Sequence, residues 1–297
     1  MDQEMYHKLM AAVEFGQNDL QNPQDLTFWP TKNAIAVADD SNGVLIFSTQ
    51  GQKLLKHLRQ CADAGSICYN SVQKQLVVSV TKAISQGDDT PGEIQFYNDE
   101  YQLVQTVLVP QDPKVKYGYV RWVSCDPLDG DVWLASGDNG TAALWCYKQK
   151  EKKWKTVWTG EGDLEHPSFL PIKDAQANKL ELIVVRWTEK DDWSVQCWTI
   201  DRKKSELVNQ RRLEYTPQDI AEAWSAVVDQ DTGLIYAYDY RSGAIQTLSP
   251  PQYNKAGDVV GMTKSGQWTS IEAHGAYVYV SSSDERCIRA FAKRSYS

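Results

Sequence analysis

The chain has no apolar run longer than a strand, which excludes transmembrane helices of about 20 residues. Strong helix signals are almost absent, so α-rich folds are excluded too. Six cysteines and 4 histidines are present. No two cysteines form a Cys-x-x-Cys pair, so zinc ribbons and thioredoxin-like redox motifs are excluded. There is no P-loop and no Gly-x-Ser-x-Gly nucleophile turn. Positive charge is in deficit, with 31 Lys and Arg against 39 Asp and Glu and a net charge of -8. A polyanion would find no attractive global field, and any nucleic-acid site must be a local basic patch. Met1–Phe15 carries Asp2, Glu4, His7, Lys8 and Glu14 without a continuous apolar core, unlike a signal peptide. The expectation is a cytoplasmic protein with reduced thiols, no membrane contact and no use for the glycosylation pattern at Asn139-Gly140-Thr141.

What is present is a recurring pair of apolar strands joined by a polar turn rich in Gly, Asn or Asp. The first copy runs Ile35-Ala36-Val37-Ala38-Asp39, then a turn at Asp40–Asn42, then Gly43-Val44-Leu45-Ile46-Phe47. Five more copies follow, and their first strands are anchored at Val78, Leu134, Val185, Ala237 and Val280, 41 to 56 residues apart. Recurrence at this period marks a propeller or solenoid. A short apolar segment precedes each pair, such as Asp25–Phe28 or Ser66–Tyr69. A fourth strand follows the first four pairs, at Lys53–Leu58, Leu103–Val109, Lys155–Trp158 and Glu206–Gln210. Four strands make a propeller blade. The expected fold is therefore an all-β, six-bladed β-propeller of four-stranded antiparallel blades, one domain over residues 1–297. The sixth unit lacks a fourth strand after its third, and His7–Phe15 has none of its own blade. The N-terminal strand is expected to complete the last blade and close the ring, which removes two exposed sheet edges. Gln86–Pro91 and Gln252–Gly261 read as protruding loops.

Residues 20–55, 120–147 and 224–248 resemble NHL repeats. Asn22-Pro23, Val37-Ala38-Asp39, Asn42 and Phe47 fit that pattern, as do Ala226-Val227-Val228-Asp229 and Ala237-Tyr238-Asp239. Leu134-Ala135-Ser136 with Asn139 fits partly, and the Asn-His-Leu triplet itself is absent. An isolated ring of this sort looks like the C-terminal domain of tripartite-motif NHL proteins. That resemblance implies a recognition domain that binds RNA on one face, in post-transcriptional regulation. The alternative it implies is a protein-binding, substrate-selecting domain of a RING-type ubiquitin ligase, whose catalytic segments would belong to other parts of a parent chain.

In a four-stranded blade the loops from strand four to one and from strand two to three share the top face. The top therefore receives Lys114, Lys116, Tyr117, Tyr119 and Arg121, together with Arg186, Trp187, Tyr240, Arg241 and Arg286. Cations beside flat rings suit single-stranded or hairpin RNA, because they neutralise phosphates while the rings stack on unpaired bases. His166, Trp224 and Trp268 are expected on the same face. So are Asp39, Asp40, Asp88, Asp89, Glu161, Asp163, Glu189, Asp191, Asp192, Asp284 and Glu285, whose charge suits a protein or peptide partner better than phosphate. The basic turns Lys148–Lys153 and Asp201–Lys204 lie on the bottom, near Lys293 and Arg294. They read as solubilising turns or a rival nucleic-acid surface.

No catalysis, small-molecule substrate, metal or cofactor is expected. His57, His166 and His274 are nearly evenly spaced, as in a zinc lyase relative of the fold. They read as falling in a fourth strand, a top loop and a bottom turn, where they could not share one ion. The inner strands offer Asp25 and Glu272 but no cage of oxygen ligands like that of calcium-dependent lactonase relatives.

Overall fold

The computed structural model describes residues 11–50, 52–81, 92–110, 120–138, 140–172, 178–189, 193–213, 215, 220–250, 253–259 and 270–293. Its first strand is β1 (Ala11–Phe15). Blade 1 follows as β2 (Pro23–Trp29), β3 (Ala34–Asp39), β4 (Gly43–Ser48) and β5 (Leu54–Leu58). Blade 2 is β6 (Ala64–Asn70), β7 (Gln75–Val80), β8 (Glu93–Tyr97) and β9 (Leu103–Leu108). Blade 3 is β10 (Val120–Cys125), β11 (Val132–Asp138), β12 (Thr141–Lys148) and β13 (Lys153–Glu161). Blade 4 is β14 (Asp163–Phe169), β15 (Lys179–Trp187), β16 (Ser194–Asp201) and β17 (Glu206–Arg212). Blade 5 is β18 (Ala223–Val228), β19 (Ile235–Asp239), β20 (Ala244–Ser249) and β21 (Asn254–Val259). Blade 6 holds β22 (Ile271–His274), β23 (Tyr277–Ser282) and β24 (Cys287–Ala292), with β1 hydrogen-bonded outside β24. All pairings are antiparallel, and each inner strand lies beside the next around the ring until β22 meets β2. Among the described residues the helical turns are Pro30–Lys32 and Arg59–Cys61.

The expected ring closure is present. Phe15 pairs with Ile288 and Glu14 with Arg289, whose guanidinium Nε is 3.1 Å from the Glu14 carboxylate and also pairs with Glu285. His7–Met10 lie outside the described residues, as does the loop at Gln86–Pro91.

Strand alternation builds the cores. In β3, Ala34, Ala36 and Ala38 face blade 2, while Ile35 and Val37 face blade 6. This period of two gives every blade two apolar faces. Burial is correspondingly distributed over six cores, each wedged between neighbouring blades. Trp29, Trp133 and Trp198 are fully buried in them.

Three expectations are corrected. Gln252–Gly261 was expected to protrude, but β21 occupies Asn254–Val259 as the fourth strand of blade 5. Its composition hides it, because an outer strand need not alternate. His166 was expected in a top loop and lies within β14, which begins at Asp163. A register shift between Glu165 and Ser168 and a left-handed φ of 47° at His166 disguise this strand as a turn. His274 was expected in a bottom turn and is instead the last residue of β22.

Candidate functional site

Two surfaces meet the axis of the ring, one at each end of the inner strands. At the top end, aromatic rings form a row across blades 4 and 5. Trp187 ends β15, Trp193 precedes β16, Trp224 lies near the start of β18 and Tyr240 follows β19. Successive ring centroids are 6.5, 5.2 and 5.2 Å apart, with tilts of 43°, 48° and 32°. All four side chains are half-buried. Gly162 lets the chain pass against the end of β15: its φ is +96°, and a Cβ there would lie 1.8 Å from the Trp187 carbonyl oxygen.

The ten residues expected to bind a ligand are only partly brought together. Lys114, Lys116, Tyr117 and Tyr119 lie outside the described residues; Arg121 gives its backbone to β10, and its side chain is outside them. Arg186 and Trp187 are neighbours in sequence on opposite faces of β15. Trp187 joins the aromatic row, whereas the Arg186 guanidinium lies 5.0 Å from the Trp158 ring of blade 3 and donates to the Glu161 carbonyl at 3.1 Å. Tyr240 stacks into the row, and Arg241 beside it is paired with Glu222 at 3.2 Å. Arg286 is exposed in the turn between β23 and β24. Trp193 was not expected; its signal is its place opposite Trp187 across one two-to-three turn.

The top carboxylates are not equivalent either. Asp39 is fully buried and accepts the backbone N–H groups of Gln21, Asn22, Ser41 and Asn42 at 2.7 to 3.1 Å. Asp239 does the same in blade 5, accepting from Glu222 N, Arg241 N and the Ser242 hydroxyl. The strand-ending Asp of the repeat therefore fastens the turn to the incoming chain, and neither residue is available to a ligand. Asp88, Asp89, Asp191, Asp192 and Trp268 lie outside the described residues.

Beneath the top face the inner strands line a polar channel. Asp25 of β2 accepts from the hydroxyls of Ser66 and Ser270 and from the N–H groups of Leu26 and Ile67 at 2.9 and 3.0 Å. Burial pushes its carboxyl up to about 6 against these donors. Glu272 of β22 is pushed up to about 8, first by burial and then by Asp25. On the opposite wall His166 stacks on Trp122 with centroids 3.5 Å apart, and its Nδ1 is 3.4 Å from the Ser225 hydroxyl. Burial pushes the imidazole down to about 3, so it is neutral near pH 7. The channel widens at the bottom into a cavity of about 250 Å³ that Phe28, Cys68, Cys125, Asp229, Glu272 and His274 help to line. The His274 ring stacks on Phe28, with centroids 3.4 Å apart.

Three of the bottom cations are drawn into partly buried ion pairs. Lys148 meets Asp131 at 2.8 Å, Arg202 meets Asp126 and Asp129 at 3.2 and 2.8 Å, and Lys293 meets Asp229 at 2.9 Å. Among the described residues no group of three or more His, Cys, Asp or Glu side chains is placed to hold a metal ion.

No protein-family model and no curated protein matches the chain. Solved structures do. A gluconolactonase from Xanthomonas campestris superposes over 98% of this chain and 93% of its own, with a TM-score of 0.69 and 10% identity. An auxiliary nutrient binding protein from Bacteroides thetaiotaomicron covers 92% of this chain and 69% of its own, at a TM-score of 0.62 and 11% identity. A chain of a nidogen/laminin complex covers 80% of this chain and 79% of its own, at 0.54 and 12%. At such identities the likeness is one of architecture: the chain is a six-bladed β-propeller, a fold that fits binding and recognition and that also houses enzymes.

Proposed function

We propose that this propeller is a non-catalytic recognition domain that holds an extended peptide across the top face, on the row Trp187–Trp193–Trp224–Tyr240. The observation that carries this reading is the row itself: four half-buried rings in contact, with the Arg241–Glu222 pair at its edge. Half-buried Trp and Tyr offer rigid apolar area at little entropic cost, and such residues dominate binding energy at interfaces. RNA, which the resemblance to NHL domains favoured, is the weaker reading. Of the five candidates with described side chains, Arg186 is committed to Trp158 and Glu161, and Arg241 to Glu222. That leaves exposed Arg286 as a phosphate partner among them, on a chain of net charge -8.

The test is selection of a displayed random-peptide library on the wild-type protein, followed by titration of the selected peptides. Trp193→Ala/Trp224→Ala should weaken them at least tenfold, because truncating a buried aromatic anchor costs about 2 kcal/mol or more. Equal binding by wild type and double variant would remove the row from the site. A parallel titration with a short U-rich RNA at low salt should show no saturable binding. Micromolar RNA affinity, lost on Arg286→Glu, would replace the peptide by RNA.

A further inference from the structure

The opposite mouth of the channel carries a feature that peptide recognition at the top does not use. Cys68 of β6 and Cys125 of β10 lie on neighbouring blades, with their sulfurs 3.3 Å apart. The two strands belong to different sheets and touch only as adjacent inner strands of the ring. Both thiols pack on the lower edge of the apolar core between blades 2 and 3, and both face the bottom cavity. They differ from the remaining four cysteines, which are fully interior. Cys61 shows the contrast: its thiol is buried against the Tyr97 hydroxyl at 3.0 Å. A disulfide bond measures about 2.05 Å, so the 3.3 Å pair is two thiols in van der Waals contact, one short movement from bonding.

We propose that Cys68 and Cys125 form a dithiol modification site, which a small peroxide entering through the bottom mouth closes into an intramolecular disulfide between blades 2 and 3. The chemistry balances with hydrogen peroxide as the oxidant. One thiolate attacks a peroxide oxygen, the O–O bond breaks, and a sulfenic acid forms as the first water leaves. The second sulfur then displaces the sulfenic oxygen, which departs with a proton as a second water. The two sulfurs lose two electrons and two protons, and the peroxide takes up both. The cavity is large enough to admit the oxidant, and the sulfur contact makes the second step faster than further oxidation of the first sulfur. Burial and the contact with Cys125 hold the Cys68 thiol well above its ordinary range, so closure calls for sustained exposure to oxidant. The product ties residues 57 positions apart and confines two blades that share no strand-to-strand ladder.

The experiment exposes the full chain to a small excess of hydrogen peroxide. Catalase ends the reaction, and free thiols are alkylated after unfolding. Alkylatable thiols should fall from six to four. The intact mass before alkylation should drop by two hydrogens, and peptide mapping should join the Cys68 and Cys125 fragments. The cross-linked protein should melt several degrees higher than the reduced one. Cys68→Ser and Cys125→Ser should each abolish the cross-link, and Cys61→Ser should leave it intact. Six alkylatable thiols after treatment, sulfinic acid at either residue without a cross-link, a different cysteine pairing, or no rise in melting temperature would each overturn the proposal. The mapping and melting measurements on wild-type protein decide it even if a serine variant fails to fold.

Discussion

Asp25 and His166 occupy opposite walls of one channel, on blades 1 and 4, and the protein accommodates them in opposite ways. Asp25 is surrounded by donors from both adjoining blades: the Ser66 hydroxyl of blade 2 and the Ser270 hydroxyl of blade 6 close on one carboxyl. Ser66 in turn accepts the Val123 N–H of blade 3 at 3.1 Å, so one acid links four blades. His166 has a ring face on Trp122, one long contact to Ser225, and a buried Nε2 without a hydrogen-bond partner among the described residues. The carboxyl is kept by wiring it to its neighbours. The imidazole is kept by denying it a proton. The first arrangement binds the seam where the ring closes; the second fills space and exacts its cost only in acid.

The largest effect should come from cutting the wired side. Asp25→Ala leaves two hydroxyls and two backbone N–H groups without their acceptor, and should lower unfolding stability by about 3–5 kcal/mol in a denaturant titration. Asp25→Asn keeps one acceptor oxygen and should lose less. A loss below 1 kcal/mol for the alanine variant would show that Asp25 does not hold the seam.

On the other wall the effect should depend on pH. The folded His166 titrates near 3 and an unfolded histidine near 6.5, so only the unfolded chain takes up this proton between those values. Stability from this group is whole above pH 6.5 and falls as pH drops towards 3, by up to about 1.4 kcal/mol per unit. His166→Asn tolerates the left-handed backbone and does not titrate, so its stability should fall less steeply over that window. Parallel profiles for the two proteins would place a charged histidine in the folded state.

Glu272 carries the comparison into alkali. Its folded carboxyl binds a proton up to about pH 8, whereas an unfolded one releases it near 4.5. Stability should therefore decline as pH rises between those values. Between about pH 7 and 8 Glu272 dominates, since Asp25 is then mostly ionised and His166 mostly neutral in both states. Glu272→Gln should flatten a slope of about 1 kcal/mol per unit there. The smallest effect belongs to the rim. Arg241 is exposed and pairs with Glu222 in water, so Arg241→Ala should change stability by less than about 0.5 kcal/mol.

The ring was legible because its blades repeat one rule. Alternating Ala and Ile or Val in Ala34–Val37 states both faces of β3, and the Asp that ends the strand announces the turn it caps. The misses have a common origin in broken alternation. Inner strands shift register after their first paired residue in blades 1, 2, 3 and 5, between Pro23 and Asp25, Ala64 and Ser66, Val120 and Trp122, and Ala223 and Ser225, and two residues deeper in blade 4, between Glu165 and Ser168. Such a bulge changes which side chains face the axis, and nothing in a period-two reading locates it. That is why His166 read as a loop residue and why Cys68 and Cys125 gave no sign of meeting. The top face was legible only in outline. Trp187 and Tyr240 were placed on one face, but the same alternation that sends Trp187 to blade 5 sends Arg186 to blade 3.

The pairing of β1 with β24 has a consequence for how the molecule comes into being. Glu14 must find Arg289, 275 positions later. On a ribosome β1 emerges well before its partner and waits while the strands of five blades are made between them. Its β-edge stays open for that whole interval, a natural docking place for chaperones and a weak point for mispairing between nascent chains. Once joined, the same contact works as a buckle: the circle can be opened there by peeling one short ribbon from the last blade, while the other five stay whole.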